Sequence, residues 1–261
     1  MEKSDLKRLT DWFYEYIAGY FGDDDYINAN LELKKVHTGR VVKEARYIAA
    51  GIGLDENETL IAETISLLHD VGRFEQFVRY QTYSDRKSVN HCDLGVDIIK
   101  TEGVIDTLDK TEKKIILSAV KYHGIKDLPK ALDERTFLHC RIVRDADKLD
   151  IYRVVKEKYL EYVDNPESYN LELEHPDQPW YSDQIIQAIL NRQQVNYLLV
   201  KTLNDFKLLL LGMIFDVNFE PSLKKISRMG YVQTYIDMLP ADDTIYKVRD
   251  TLLDYIDKQL N

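Results

Sequence analysis

Apolar residues recur every three or four positions along most of the chain, the spacing that places them on one face of an α-helix. No segment shows the strict alternation of apolar and polar residues that is typical of a half-buried strand. The pattern therefore predicts an all-α fold. The predicted helices cover, approximately, residues 6–20, 31–49, 55–69, 90–102, 109–123, 137–160, 185–215, 222–239 and 243–260.

Two polar stretches interrupt this pattern. Residues 74–90 are rich in Tyr and Arg and have no clear period, so we predict a long loop or lid there. Pro166, Pro176 and Pro179 mark a polar linker at about residues 164–180. We therefore expect a helical core with its N-terminal helix over residues 1–165. A C-terminal helical extension over residues 166–261 would pack on that core.

Residues typical of helix ends indicate where some of these helices begin and end. Gly72 comes two residues after Asp70, and glycine is common just past the last residue of a helix. The dipeptide His69-Asp70 is therefore predicted to lie in the last turn of a buried helix. Asn90 is the predicted N-cap of the helix that follows the loop.

Composition narrows the class of protein. The chain has 261 residues, of which 44% are hydrophobic and 31% charged, as in an ordinary globular protein. No apolar run is long enough for a membrane span, and the charged start of the chain is unlike a signal peptide. Cys92 and Cys140 are too few for a disulfide framework, and both lie in apolar segments. We therefore expect a cytoplasmic protein whose two cysteines are reduced core residues, with no membrane partner.

The net charge bears on the kind of ligand. A charge of −10 argues against a nucleic-acid polymer as a partner. It does not exclude a small phosphorylated molecule, because bound metal ions and a few local cations can reverse the field within a cleft.

Candidate chemistry lies in the histidines and aspartates of the first 150 residues. Imidazoles and carboxylates that helices bring together form sites for transition-metal ions. Asp70 and Asp147 lie in apolar helices, where a buried carboxylate needs a cation or hydrogen-bond donors nearby. We leave aside His139, which lies in a core-like run, and His175, which lies in the linker. The candidate ligands are His37, His69, Asp70, His91, His123 and Asp147.

Three segments carry a family resemblance. They are His37-Thr38-Gly39-Arg40-Val41, Leu67-Leu68-His69-Asp70-Val71-Gly72-Arg73 and Asp145-Ala146-Asp147-Lys148-Leu149. In this order the segments resemble the motifs of the HD superfamily of metal-dependent phosphohydrolases. The resemblance covers roughly residues 28–155. His91 and His123 match the extra histidines of those family members that hold two metal ions.

The resemblance implies an HD-like helical bundle and two divalent transition-metal ions, Fe, Mn, Ni, Co or Zn, with Mg as a further candidate. It implies that His37, His69, Asp70 and Asp147 bind the first ion. Asp70 would bridge to a second ion, completed by His91 and His123. A hydroxide between the two ions would then hydrolyse a phosphate mono- or diester of a nucleotide or another small phosphorylated metabolite.

Basic residues near these motifs are candidates for contact with the phosphate. With Asp70, we assign catalytic roles to Arg73 and Lys148, which would also bind the substrate phosphate. Arg73 stands where the family often has Lys, which keeps the positive charge but changes its geometry. Arg79, Arg86 and Lys87 in the predicted loop are weaker candidates for substrate binding.

Two other functions agree with the same ligands. HD-type proteins with a di-iron centre act as oxygenases on small molecules, and His and carboxylate ligands suit iron as well as the other metals. A non-catalytic nucleotide sensor is the second alternative, in which the C-terminal helices would report binding. The sequence leaves open the substrate, the metals, the oligomeric state and the role of the C-terminal helices.

Overall fold

The structure is a computed structural model that describes residues 1–168, 171 and 175–261. Every regular element within these residues is helical and none is a strand, which confirms the predicted all-α fold. Short 3-10 turns cover Pro166–Ser168, Tyr197–Leu199 and Met213–Asp216. The α-helices are α1 (Lys3–Ala18), α2 (Asp25–Gly51), α3 (Glu56–Leu68), α4 (Val71–Tyr80), α5 (His91–Thr101), α6 (Lys110–Tyr122), α7 (Glu134–Asp164), α8 (Asp183–Leu190), α9 (Leu203–Gly212), α10 (Glu220–Arg228), α11 (Tyr231–Asp237) and α12 (Asp243–Leu260).

The chain divides into two compact units within α7. The first covers Met1–Ile151 with a short segment that begins at Glu167, and the second covers Tyr152–Pro166 with the C-terminal part of the chain. The predicted division into a core over residues 1–165 and a C-terminal extension over residues 166–261 stays a prediction. Part of the predicted linker, residues 169–170 and 172–174, lies outside the described residues.

Helix α3 is the central helix of the first unit. It packs against α1, α2 and α6, and every residue from Leu60 to Leu68 is buried. The Asp55 carboxylate caps its first turn by accepting a hydrogen bond from the Glu58 backbone N–H at 2.9 Å. Because α3 ends at Leu68, the following His69 and Asp70 lie inside the bundle, at the junction with α4.

The predicted loop over residues 74–90 is wrong in its first half, because Val71–Tyr80 forms α4. Phe74 and Phe77 are fully buried and lie three positions apart, so they share one face of this helix. The exposed face carries charged and aromatic residues such as Arg79, which hide the helical period in the sequence. Residues 81–90 form no regular helix, and Gln81 ends α4 with a left-handed φ of 52°.

The role predicted for Gly72 is also wrong, because this residue lies inside α4 and does not end a helix. A Cβ atom at Gly72 would lie 2.4 Å from the backbone oxygen of His91 and 2.8 Å from the backbone nitrogen of Gly95. Helix α5 therefore passes too close for any side chain at this position. The missing side chain lets α5 bring His91 next to the His69-Asp70 junction.

The second unit contains two breaks that the apolar pattern did not predict. The predicted helix over residues 185–215 is two helices, α8 and α9, and Arg192 between them has a left-handed φ of 55°. The predicted helix over residues 222–239 is α10 and α11, separated at Gly230, whose φ is 64°. Apolar spacing continues across each break, so it does not reveal the interruption. The last predicted helix is confirmed as α12.

Buried tyrosines join the elements of the second unit. The Tyr152 hydroxyl donates to the backbone oxygen of Leu210 at 2.8 Å, and the Tyr235 hydroxyl donates to the backbone oxygen of Tyr152 at 2.7 Å. The middle of α7, at Tyr152, is therefore hydrogen-bonded to α9 and α11. Among the described residues, no helix combines the length and apolar character needed to span a bilayer.

Candidate metal centre

The first unit brings the six candidate ligands to one place. All are buried except Asp147, whose side chain is 21% exposed. Their positions are His37 in α2, His69 and Asp70 at the junction of α3 and α4, His91 at the first residue of α5, His123 directly after α6 and Asp147 in α7.

Two imidazoles and two carboxylates form the first half of this cluster. His37 Nε2 lies 3.1 Å from Asp147 Oδ1 and 3.8 Å from Asp70 Oδ2. His69 Nε2 lies 3.6 Å from Asp70 Oδ2 and 3.8 Å from Asp147 Oδ1. Donor atoms at these separations can all reach one cation between them, because metal–ligand bonds are about 2.0–2.2 Å long.

The second half uses the other oxygen of Asp70. His91 Nε2 and His123 Nε2 lie 3.1 Å apart, and Asp70 Oδ1 is 3.6 Å from each of them. Asp70 therefore turns Oδ2 toward one pair of imidazoles and Oδ1 toward the other. This is the geometry of a carboxylate that can contact two ions.

All four imidazoles are anchored through Nδ1. Each Nδ1 faces a carboxylate or a backbone carbonyl, which can only accept a hydrogen bond, so Nδ1 carries the proton and Nε2 of the neutral ring presents its lone pair inward. The anchoring pairs are His37 with Asp150 at 2.8 Å, His69 with the Ser66 carbonyl at 2.7 Å, His91 with Asp85 at 2.7 Å and His123 with the Val120 carbonyl at 2.8 Å.

The inward nitrogens fit a metal ion. His37 Nε2 and His69 Nε2 are buried and make no hydrogen bond, which is costly for a polar atom. His91 Nε2 and His123 Nε2 present their lone pairs to each other at 3.1 Å. A cation between these nitrogens would satisfy the unpaired atoms and remove the repulsion. The residues present therefore fit one divalent ion in each half of the cluster.

The surroundings of Asp70 and Asp147 favour the ionised form of both carboxylates. Burial raises the pKa of Asp70, but Lys34 and His69 outweigh it and hold this pKa well below its usual value. Burial also raises the pKa of Asp147, and the neighbouring His37 and His69 rings lower it well below the usual range. A buried and a partly buried negative charge thus face the unpaired nitrogens, which favours a cation in this cavity.

Comparison with known families agrees with this arrangement. Residues 36–152 match the family model of the HD domain, and this range includes all six candidate ligands. This part of the chain is therefore similar to the HD domain. HD domains are the core of a superfamily of metal-dependent phosphohydrolases and bind divalent metal ions. No curated protein and no solved structure matches the chain.

A cation that the sequence analysis missed lies against the Asp70 carboxylate. Lys34 in α2 places its Nζ atom 2.9 Å from Asp70 Oδ2 and 5.2 Å from the centre of the Tyr83 ring. Its side chain is 19% exposed, so it lies at the edge of the cluster. Lys34 is three positions before His37, one helical turn away, but nothing in the motif indicates its contact with Asp70.

Arg73 lies on the other side of the Asp70 carboxylate. Its Nε atom is 3.5 Å from Asp70 Oδ1. Its Nη1 atom donates to Gln76 Oε1 at 2.8 Å, to the Tyr83 carbonyl at 2.5 Å and to Asp85 Oδ1 at 2.9 Å. These three acceptors hold the guanidinium in place beside the cluster. The catalytic role assigned to Arg73 stays a prediction.

The other four basic residues predicted to contact the substrate differ in their burial. Lys148 is buried in α7, one residue after Asp147. Arg79 is exposed on α4 and pairs with Glu75 at 2.7 Å. Arg86 and Lys87 are exposed in residues 81–90. The functional roles of all four stay predictions, and the pairing of Arg79 favours a surface role for that residue.

Two anchoring aspartates were also missed. Asp150 binds His37 and is three positions after Asp147, so it lies on the same face of α7. Asp85 binds His91 from the segment that the sequence presents as an irregular loop. Burial raises the pKa of Asp85, but His91 and then other donors lower it to about 2. Helical spacing could have revealed Asp150, whereas no local signal reveals Asp85.

Cys92 is buried as predicted, but it lies against two of the candidate metal ligands. Its Sγ atom lies 3.4 Å from His91 Nε2 and 3.6 Å from His123 Nδ1. Burial raises the pKa of this thiol, but the two neighbouring rings outweigh burial and lower it to about 5. Burial, with a smaller contribution from Asp133, instead raises the pKa of Cys140 to about 12, as expected for an inert core thiol.

Proposed function

We propose that this protein is a metal-dependent hydrolase of phosphate mono- or diesters, acting on a nucleotide or another small phosphorylated metabolite. The observation that carries the proposal is the convergence of four anchored imidazoles on the two oxygens of Asp70. The HD domain match supports the same class of reaction.

The ligands of each ion follow from the two halves of the cluster. His37, His69, Asp70 and Asp147 would hold one ion, and Asp70, His91 and His123 would hold the other. Two divalent ions, when bound, supply a water molecule of lowered pKa and positive charge for the phosphoryl oxygens. Neutral imidazoles and carboxylates are ligands that suit Fe, Mn, Co, Ni and Zn.

The chain itself contributes rigid positioning. Each imidazole is held by a hydrogen bond at Nδ1, so its ligand atom Nε2 needs no reorientation when an ion or a substrate arrives. Loss of such an anchoring partner typically costs about 10–100-fold in metal affinity or activity. Asp150 and Asp85 are therefore positioning residues in this proposal.

Lys34 is the residue that we propose for contact with the substrate phosphate. Its ammonium group lies 2.9 Å from the bridging carboxylate and is partly exposed, so a phosphate that reaches the cluster meets this charge. Arg73 is held by three acceptors, and its proposed role is to fix Asp85 and to balance the charge of Asp70. A point charge on a flexible stem suits a small phosphate, and Lys34 provides one.

Metal analysis and a substrate panel test the function. Protein purified without chelator is analysed for bound metals and assayed with phosphate monoesters, phosphate diesters and nucleotides. We expect bound divalent metal and hydrolysis of at least one ester class, lost on removal of the metal. Asp70→Ala should lose both. Asp97→Asn, which removes an exposed carboxylate from α5, is the control and should retain both.

Other outcomes separate the alternatives. Turnover that requires iron and oxygen and stops under anaerobic conditions would replace hydrolysis with oxygenase chemistry. Nucleotide binding at full metal occupancy without turnover of any ester would indicate a sensor. Retained hydrolysis in Asp70→Ala would remove the proposed catalytic role of that residue.

A further inference from the structure

Cys92 adds a sulfur atom to the second half of the cluster. Its Sγ atom is 3.4 Å from His91 Nε2 and 4.0 Å from His123 Nε2, and these two nitrogens are 3.1 Å apart. His91, Cys92 and His123 are buried together, with ligand atoms within 4.8 Å of one another. The inference below rests on the proposed function, because it concerns one ion of the same centre.

The triangle of these three atoms matches a zinc site. In a tetrahedral site with bonds of about 2.3 Å to sulfur and about 2.05 Å to nitrogen, two nitrogens lie about 3.3 Å apart and sulfur lies about 3.5 Å from nitrogen. The three observed separations differ from these values by about 0.5 Å or less. Small side-chain shifts therefore suffice for all three atoms to bind one ion. Asp70 Oδ1, 3.6 Å from each nitrogen, can supply a further ligand.

Gly124 provides the space that this sulfur occupies. A Cβ atom at position 124 would lie 3.0 Å from Cys92 Sγ and 3.3 Å from His91 Cε1. Even the smallest side chain would therefore press on both candidate ligands. The glycine directly after His123 leaves room for the sulfur and the ring together.

We propose that Cys92 is a thiolate ligand of the ion held by His91 and His123, and that this half of the centre selects a thiophilic ion, zinc first. Thiolate is a soft ligand that favours zinc over Mg or Mn, and a thiol bound to a metal loses its proton. The half that contains His37, His69 and Asp147 offers only nitrogen and oxygen ligands. The two halves therefore differ in the metal that they prefer.

Cobalt spectroscopy tests this ligand directly, without an activity assay. Co²⁺ is added to the metal-free full-length protein, and bound Co²⁺ is quantified. A thiolate bound to Co²⁺ gives a charge-transfer absorption band in the near ultraviolet, which nitrogen and oxygen ligands do not give. We expect this band in the wild type and in Cys140→Ala, which removes the other buried cysteine. We expect it to be absent in Cys92→Ser and in Cys92→Ala.

Zinc affinity provides the second measurement. Competition with a chromophoric chelator should show that Cys92→Ser lowers the affinity of the tighter zinc site by more than about 100-fold, beyond the usual effect of losing a group that only hydrogen-bonds to a ligand. The affinity for Mn²⁺ should change by less than about 10-fold, because Mn²⁺ does not depend on sulfur. Circular dichroism checks that each variant is folded. If both Cys92 variants fail to fold, the presence or absence of the charge-transfer band in the wild type tests the role of Cys92.

The outcomes separate this inference from the proposed function. Stoichiometric Co²⁺ binding without the charge-transfer band would overturn the role of Cys92 and leave the metal centre intact. A band that persists in Cys92→Ser would also overturn it, as would a band lost in Cys140→Ala. Failure of the wild type to bind any Co²⁺ would overturn both proposals.

Discussion

Replacement of Asp70 by Asn tests the central feature of the site, a single carboxylate that serves two ions. Asn has nearly the same shape, but it has no negative charge and presents one oxygen. Both halves of the cluster should therefore lose a ligand or its charge, because Oδ1 and Oδ2 face different pairs of imidazoles. We expect the variant to fold, to bind little metal and to show no gain of stability when metal is added.

The magnitude follows from two contributions to the free energy of unfolding. Without metal, the substitution leaves Lys34 without its carboxylate at 2.9 Å. The side chain of Lys34 is partly exposed, so the loss should be about 1–3 kcal/mol, between values for exposed and for fully buried pairs. With metal at 100 times its dissociation constant, each filled site adds about 2.7 kcal/mol. The wild type should therefore gain about 5 kcal/mol from two ions, and the variant should gain almost none.

Tryptophan fluorescence can report the unfolding of the first unit alone. The chain has two tryptophans, Trp12 in the first unit and Trp180 in the second. Trp180 is exposed, so Trp180→Phe is a mild background substitution that leaves Trp12 as the reporter. Urea unfolding, with and without metal, is then compared for three proteins: Trp180→Phe alone, Trp180→Phe combined with Asp70→Asn, and Trp180→Phe combined with Asp97→Asn. If Asp70→Asn binds two ions and gains as much stability as the background protein, the bridging role is refuted.

Three further predictions concern other parts of the structure. Asp85→Ala should weaken binding of the ion at His91 by about 10–100-fold in a zinc titration, and an unchanged affinity would contradict its anchoring role. Gly72→Ala should lower the free energy of unfolding, measured in urea, by about 1–3 kcal/mol or more, because the added Cβ meets the backbone of α5. Gly95→Ala, whose added Cβ makes only ordinary contacts, should lower it by less. In the second unit, burial lowers the pKa of Lys207 to about 8 from 10.5 in the unfolded chain. The unfolded state therefore holds more protons between these values, and the stability of the wild type should rise with pH from about 8 to 10.5 relative to Lys207→Met.

The sequence predicted the helices well where the determining signals are local. Apolar spacing identified α3 and α12, and the Asn90 side chain caps α5 as expected, accepting from the Asp93 backbone N–H at 2.9 Å. Spacing failed at α4, whose apolar face consists of few residues among charged and aromatic ones. It also failed at breaks such as Gly230, where a left-handed residue interrupts a helix without interrupting the apolar pattern.

The candidate ligands could be predicted because the family motifs contain them, but their supports could not. His37 and its anchor Asp150 are 113 positions apart and meet only because α2 packs near α7 in the folded chain. Gly72 was interpreted from its neighbours in sequence, whereas its role depends on how close α5 passes. Cys92 follows His91 directly, and adjacent residues on a helix normally face different directions. Their convergence depends on the position of His91 at the first residue of α5.

The apolar core behind the site explains why loss of metal should not unfold this unit. Leu68, Val71, Ile116, Ala119 and Val143 belong to one buried cluster, and they lie in α3, α4, α6 and α7 beside the candidate ligands. This packing holds the helices through burial of apolar surface, which needs no ion. The Nδ1 hydrogen bonds then fix the imidazole rings within that frame. A small metal site without such a core folds only when its ion binds. Here we infer that the ion enters a site already formed, so helix content should be the same with and without metal while resistance to urea differs.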